Sequence, residues 1–299
     1  MSASLPAHNE DKIRLINKVF GKTPEKILAG LTTEEEVKGV MIKTAVSQLG
    51  IIRQEVEEAY DAKTEHDIRD ALCDILVTVF GMGYLLGFPR WTPFIKVSML
   101  DGNVHYPVHR TYSIRDLGLA IASDVRTILH TEYPCDSEEG MAAVNKHAMQ
   151  MLGGHMLQLE KSIDVETNKL DLEELAEACA GLITAAHNVS FIVGCNIDKD
   201  MEAVTNALFS RLCDDEGHAE RTVSNYNLVE GIDTHYAACD AIPGKFVVYS
   251  SKDQYGKSGD HYPENKFLKA LGYGQPVFEE LYRGDDEPLK TEEEGQQEA

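Results

Sequence analysis

In the first third of the chain, apolar residues recur at steps of three and four, the spacing of one buried helix face. Residues 9–31 predict one or two short amphipathic helices, and longer helices are predicted over residues 35–58 and 67–86. A capping pattern marks the start of each long helix, at Thr32-x-x-Glu35 and Thr64-x-x-Asp67. The polar segment 60–66 between them is short, so the two long helices should form an antiparallel hairpin.

Helical spacing returns after a segment rich in Pro and Gly that ends near residue 111. Helices are predicted over residues 114–129, 140–163 and 170–193 and from residue 196 onward. The pair Gly153-Gly154 predicts a break in the second of these helices. Residues 245–250 have the composition of a β-strand that could pair with residues 265–269.

The two helical halves resemble each other weakly. When the sequences of the 67–86 and 170–193 helices are aligned so that Asp70 matches Glu177, Asp74 matches Gly181. This register suggests a tandem duplication whose second copy has lost an acidic residue.

The predicted fold class is all-α: an antiparallel helix bundle, tandem-duplicated, with a small C-terminal β-hairpin. Residues 1–110 would form the first half, residues 111–282 the degenerate second half, and residues 283–299 an acidic disordered tail.

Composition restricts the partners of the protein. The chain has 299 residues, of which 43% are hydrophobic, and a formal net charge of -22. A field of that sign repels nucleic acid polymers. No uninterrupted apolar run has the length of a membrane span, and the six scattered cysteines favour reduced thiols. A cytoplasmic protein without nucleic acid or membrane partners is expected.

Acidic residues stand one helical turn apart on both helices of the first hairpin. They are the pair Glu55 and Glu58 and the pair Asp70 and Asp74. If the hairpin closes on its apolar faces, the four carboxylates approach one another and would favour a hard divalent cation such as Mg²⁺. A solvated acidic helix face is the alternative for the first pair, but Asp74 precedes the most apolar segment of the chain, where a carboxylate needs a partner.

This ExxE pattern, followed by an acidic pair that ends in Asp, resembles the all-α nucleoside triphosphate pyrophosphohydrolases. That superfamily includes MazG-like proteins, phosphoribosyl-ATP pyrophosphohydrolases and dimeric dUTPases. Later residues are similar to the phosphate-contact segments of the phosphoribosyl-ATP branch, and the resemblance assigns substrate binding to Asn206, Ser210, Arg211, Lys266 and Lys269. Two departures from the family are Ala71, where Glu is frequent, and Arg211, where Lys is commoner.

The resemblance implies a hydrolase that converts a nucleoside triphosphate, with a lean toward deoxynucleotides, to the monophosphate and pyrophosphate. Glu55, Glu58, Asp70 and Asp74 would hold Mg²⁺, with Mn²⁺ as the alternative, and Glu55 or Glu58 would act as the catalytic base. The partner would be a small-molecule nucleotide. The protein would be a pseudo-dimeric monomer or a homo-oligomer.

Two other functions stay open on sequence grounds. The dipeptide His66-Asp67 occurs in HD-type triphosphohydrolases, but the only histidine upstream of it is His8. A helical protein with one degenerate copy could instead be a non-catalytic nucleotide-binding or interaction protein. Three aromatic residues are candidates for stacking on the nucleobase: Tyr60, Phe80 and Trp91.

Overall fold

The computed structural model describes residues 5–88, 103–105, 111–113 and 134–281. In chain order, the helices are α1 (Asn9–Val19), α2 (Pro24–Ile27), α3 (Glu34–Asp61), α4 (Glu65–Leu85), α5 (Glu138–Lys161), α6 (Leu172–Val193), α7 (Ile197–Phe209) and α8 (Glu216–Asn225). A 3₁₀ turn spans Pro134–Asp136 and a π-type turn spans Tyr226–Glu230. The strands are β1 (Asn103–His105), β2 (Thr111–Ser113), β3 (Ile163–Asp164), β4 (Lys169–Leu170), β5 (Thr234–Ala238), β6 (Phe246–Ser250), β7 (Gln254–Tyr255), β8 (His261–Tyr262) and β9 (Phe267–Leu268).

Two helix hairpins form a four-helix core. In the first, α3 packs on α4; in the second, α5 packs on α6; across the bundle, α3 packs on α5 and α4 on α6. One continuous apolar cluster, which includes Ile52, Leu76, Leu152 and Leu182, fills the space between them. Helices α1 and α7 cover α4 from outside, so that α4 is buried on most of its surface.

The all-α class was wrong, because the described residues also contain several small antiparallel sheets of two or three strands. The predicted pairing of β6 with β9 is confirmed, but β5 lies on the other side of β6 and makes the sheet three-stranded. Helix α8 was not among the predicted elements, and it packs on β5 and β6. The fold is therefore a mixed one, in which a helix bundle carries a small C-terminal α/β layer.

The helix ends follow local chemistry closely. Thr64 and Asp67 form the predicted capping box of α4. In α3 the box is Thr33 with Glu36, one residue later than predicted. The predicted break at Gly153-Gly154 was wrong, because α5 runs through both glycines.

Helix α6 has the length and hydropathy of a membrane span, yet 83% of its most apolar window is buried within the protein. It is the second helix of the second hairpin and packs on α5 and α4. The predicted 114–129 helix and the acidic tail lie outside the described residues.

The second hairpin repeats details of the first. In the register of the proposed duplication, the N-cap Thr64 of α4 falls on the N-cap Asp171 of α6. Both helices also end in a left-handed glycine, at Gly87 and Gly194, with the same pair of backbone hydrogen bonds. These shared ends are what a repeated hairpin predicts.

Two side-chain contacts join α3 to α5. Arg53 of α3 pairs with Glu160 of α5 at 2.8 Å. Tyr60 of α3 lies against Gly153 of α5, where an added Cβ would be 3.4 Å from the tyrosine hydroxyl. The two contacts are seven residues apart on each helix and run in opposite directions, as in any antiparallel helix pair.

Candidate metal and phosphate site

The four predicted carboxylates lie on the facing sides of α3 and α4. Glu55, Asp70 and Asp74 are half-buried, and Glu58 is exposed. Burial and, to a smaller extent, the charges of Asp74, Glu58 and Asp70 together raise the pKa of Glu55 to about 7. Burial likewise raises the pKa of Asp74 to about 7, assisted by the charges of Asp70 and Glu58. The hairpin therefore brings all four carboxylates within electrostatic range of one another.

The same carboxylates do not form a ready coordination shell. Among the described residues, no three Asp, Glu, His or Cys side chains converge closely enough to hold an ion. Mg²⁺ usually needs only one or two protein carboxylates, and water and phosphate oxygens complete its octahedron. A loose group of carboxylates fits this requirement, because a divalent cation would relieve the repulsion that, with burial, raises the pKa of Glu55, Asp70 and Asp74.

Arg211 is the basic residue that reaches this acidic group. It follows the C-terminal end of α7, and its positive charge lowers the pKa of Asp74, opposing the effects of burial and of the acidic neighbours. Its Nε atom is buried and has no hydrogen-bond partner among the described residues. Its guanidinium lies 5.5 Å from the centre of the Tyr273 ring. This cation is therefore placed at the Asp74 end of the carboxylate group.

Lys269 stands beside Arg211 through the same tyrosine. Its Nζ atom lies 4.4 Å from the centre of the Tyr273 ring, so Tyr273 contacts both cations. The side chain of Lys269 is exposed, while Tyr273 is half-buried. Together, Arg211, Lys269 and Tyr273 form what we call the basic cluster.

The other predicted substrate-binding residues are Lys266, Ser210 and Asn206, and they make different contacts in the structure. Lys266 donates to the carbonyl of His261 and lies over the Tyr262 ring. The Ser210 hydroxyl donates to the Ala207 carbonyl and accepts from the Gly274 backbone N–H at 3.3 Å. Asn206 is exposed on α7. In this structure Ser210 holds the segment after Tyr273, and neither it nor Lys266 belongs to the basic cluster.

One aromatic side chain that the sequence pattern does not single out, Phe278, borders the site. Residues 273–279 follow the basic cluster and pass beside the start of α4, where the Phe278 ring lies 4.9 Å from the guanidinium of Arg69 and 5.1 Å from the ring of His66. Glu279 then pairs with Lys199 on α7 at 2.8 Å. No local pattern in this irregular stretch marks Phe278, since its role comes from contacts with distant helices.

A buried ion pair fixes α7 against α4. Arg69 donates two hydrogen bonds to Asp200, at 2.9 and 2.7 Å, and both side chains are almost fully buried. Removing one member of such a pair typically costs about 3–5 kcal/mol, because the other charge is left buried. The pair orients α7 so that its C-terminal end carries Arg211 toward the carboxylates.

The second hairpin holds different side chains at the equivalent place. His155 of α5 faces Gly181, the position that matches Asp74, and an added Cβ on Gly181 would lie 2.1 Å from His155 Nδ1. Gln158 donates to Glu177, the position that matches Asp70, at 3.5 Å. Burial lowers the pKa of His155, which favours the neutral ring. An imidazole thus fills the space in which the first hairpin carries its acidic group.

The three aromatic stacking candidates do not line the carboxylate group. Tyr60 packs on Gly153, and Phe80 is buried beside a separate cavity of about 260 Å³ with His8 and His187. Trp91 lies outside the described residues. His66, the histidine of the HD dipeptide, is exposed at the start of α4.

The chain is similar to an uncharacterized protein of Acanthamoeba polyphaga mimivirus, with 23% identity over 288 residues. The alignment covers 92% of this chain and 96% of the viral protein, so it includes both hairpins and the C-terminal layer. No family model and no solved structure matches the chain.

Proposed function

We propose that the protein is a Mg²⁺-dependent nucleoside triphosphate pyrophosphohydrolase. One observation carries the proposal: burial and the charges of neighbouring carboxylates raise the pKa of Glu55, Asp70 and Asp74 on two adjacent helices, and an arginine from a distant segment faces the most buried of them. Acids that surround a divalent cation, next to cations for phosphate, are the parts that phosphoryl transfer requires.

Glu55 is the favoured catalytic base. Its pKa of about 7, raised by burial and by three acidic neighbours, matches the pH at which a general base is most effective. In the proposed step, Glu55 takes a proton from the water whose oxygen attacks the α-phosphorus. The bond between the α-phosphorus and its bridging oxygen breaks, and pyrophosphate leaves with that oxygen.

The basic cluster receives the leaving group. Arg211 and Lys269 would bind the oxygens of the β- and γ-phosphates, and Tyr273 keeps the two cations apart and oriented. The buried, unpaired Nε of Arg211 is a donor that a phosphate oxygen could satisfy.

Glu55, Glu58, Asp70 and Asp74 would hold the Mg²⁺. When bound, Mg²⁺ would neutralise the negative charge that develops on the phosphate oxygens, and Mn²⁺ could replace it. The second hairpin, in which His155 covers Gly181 at the position that matches Asp74, would pack as the silent half of a pseudo-dimer.

The test is to incubate the protein with Mg²⁺ and a panel of deoxy- and ribonucleoside triphosphates and to separate the products by ion exchange. Monophosphate with pyrophosphate from one or two nucleotides supports the proposal, provided that Asp74→Asn abolishes the turnover. Tripolyphosphate as product would indicate HD-type chemistry instead. Tight nucleotide binding without turnover by the wild-type protein would favour the non-catalytic binding protein.

A further inference from the structure

The segment 273–279 runs alongside α7 in the opposite direction. Tyr273 contacts Arg211 just beyond the end of α7, and Glu279 pairs with Lys199 in its first turn. Phe278 sits between these points, over Arg69. Phe278 is the fifth residue after Tyr273, and a chain of five residues can span at most about 18 Å. The segment therefore connects the basic cluster to the first turn of α4.

Along α4, the side chains that border the site follow a fixed order. His66, Asp70 and Asp74 are spaced four residues apart and therefore lie on one face of the helix, which spans about 12 Å between the first and the last. Phe278 lies at the His66 end, and Arg211 at the Asp74 end. The site thus has an aromatic end, an acidic middle and a basic end.

We propose that Phe278 and His66 form the surface on which the nucleobase stacks, so that the nucleotide lies along α4 with its base at His66 and its leaving phosphates at Arg211. This inference rests on the proposed function and adds the position and direction of the substrate.

The chemistry of the aromatic end supports this assignment. The two rings are 5.1 Å apart and tilted by 44°, and the His66 side chain is exposed, so part of this surface faces solvent. Arg69, fixed by Asp200, holds Phe278 from one side through a cation–π contact. A platform held in place in advance loses little conformational entropy when a base stacks on it. Stacking also tolerates any base, since every base has a π-face.

The experiment compares two ligands that share phosphates but differ in the base. Binding of inorganic tripolyphosphate and of a non-hydrolysable analogue of the best nucleoside triphosphate of the panel is measured with Mg²⁺ by calorimetry, on wild type, Phe278→Leu and His66→Ala. Phe278→Leu keeps an apolar side chain over Arg69, and His66→Ala alters an exposed position, so at least one variant should fold. Tyr255→Ala is the matched control, because Tyr255 stacks on His261 at 4.7 Å in an exposed pair on β7 and β8.

We expect Phe278→Leu or His66→Ala to weaken nucleotide binding about tenfold, to change tripolyphosphate binding less than twofold, and Tyr255→Ala to change neither. Equal losses for both ligands, or no loss in either variant while the wild type stays active, would overturn the inference and leave the proposed function standing. A wild type that neither binds nor hydrolyses any nucleotide would overturn both.

Discussion

The acidic group should destabilise the protein when no cation is bound, and Asp74→Asn is the change that tests this. The pKa of Asp74 is raised from 3.8 to about 7 on folding, because of burial and of the charges of Asp70 and Glu58. At about 1.4 kcal/mol per pKa unit, the carboxylate costs the folded state up to about 4 kcal/mol above pH 7. Partial exposure of the group reduces the expected gain in Asp74→Asn to about 2 kcal/mol.

The pH dependence has a definite sign. Between pH 4 and pH 7 the folded wild type binds more protons at Asp74 than the unfolded chain does, so its stability falls as the pH rises and levels off above pH 7. Asp74→Asn lacks the contribution of Asp74 to this fall, while the raised pKa of Glu55 still contributes in both proteins. Urea unfolding in EDTA should therefore give nearly equal free energies for both proteins near pH 4 and an advantage for the variant at pH 8. Added Mg²⁺ should stabilise the wild type and not the variant.

Asp67→Asn is the matched control on the same helix. Burial, the largest single effect, raises the pKa of Asp67, but the hydrogen bonds from Thr64 and from the Lys63 and Thr64 backbone together outweigh it, so that the pKa is lowered. Its removal should destabilise the protein at pH 8, by about 1 kcal/mol or less. If Asp74→Asn also destabilises the protein at pH 8 in EDTA, or if Mg²⁺ stabilises this variant as much as the wild type, the metal assignment is refuted.

Three further predictions concern the basic cluster, the second hairpin and the catalytic base. Lys269→Ala should weaken tripolyphosphate binding about five- to tenfold in calorimetry and leave nucleoside binding unchanged; equal losses would remove Lys269 from the phosphate site. Gly181→Ala should cost about 1–3 kcal/mol in urea unfolding, because its Cβ would overlap His155, and His155→Ala in the same chain should restore most of it; an unchanged stability of the single variant would mean that His155 does not fill this space. Glu55→Gln should lower kcat and abolish the rise of the rate up to about pH 7, since the base must be deprotonated to act; a variant with the wild-type pH profile would assign the base elsewhere.

The amino-acid sequence determined the parts whose causes are local. The capping box at Thr64 and the spacing of Asp70 and Asp74 depend on residues within one or two helical turns of one another. The end of α4 at Gly87 has a similar local cause, a left-handed C-cap position that suits glycine. The first hairpin and its acidic face could therefore be read directly.

Tertiary packing decided the rest, because it depends on which distant segments meet. The glycine pair at 153–154 predicts a break by propensity, yet α5 continues and Gly153 leaves room for Tyr60 of α3. Helix α8 and strand β5 lack a strong local pattern, and they exist because the sheet around β6 gives each a surface to cover.

The candidate site divides in the same way. Its carboxylates lie on one hairpin and were foreseeable from spacing alone. Arg211 faces Asp74 because the ion pair between Arg69 and Asp200 orients α7, and Phe278 reaches α4 because the chain returns along α7. Hydrophobic periodicity and capping act over a few residues, whereas these contacts join residues more than 100 positions apart, and only the folded chain brings them together.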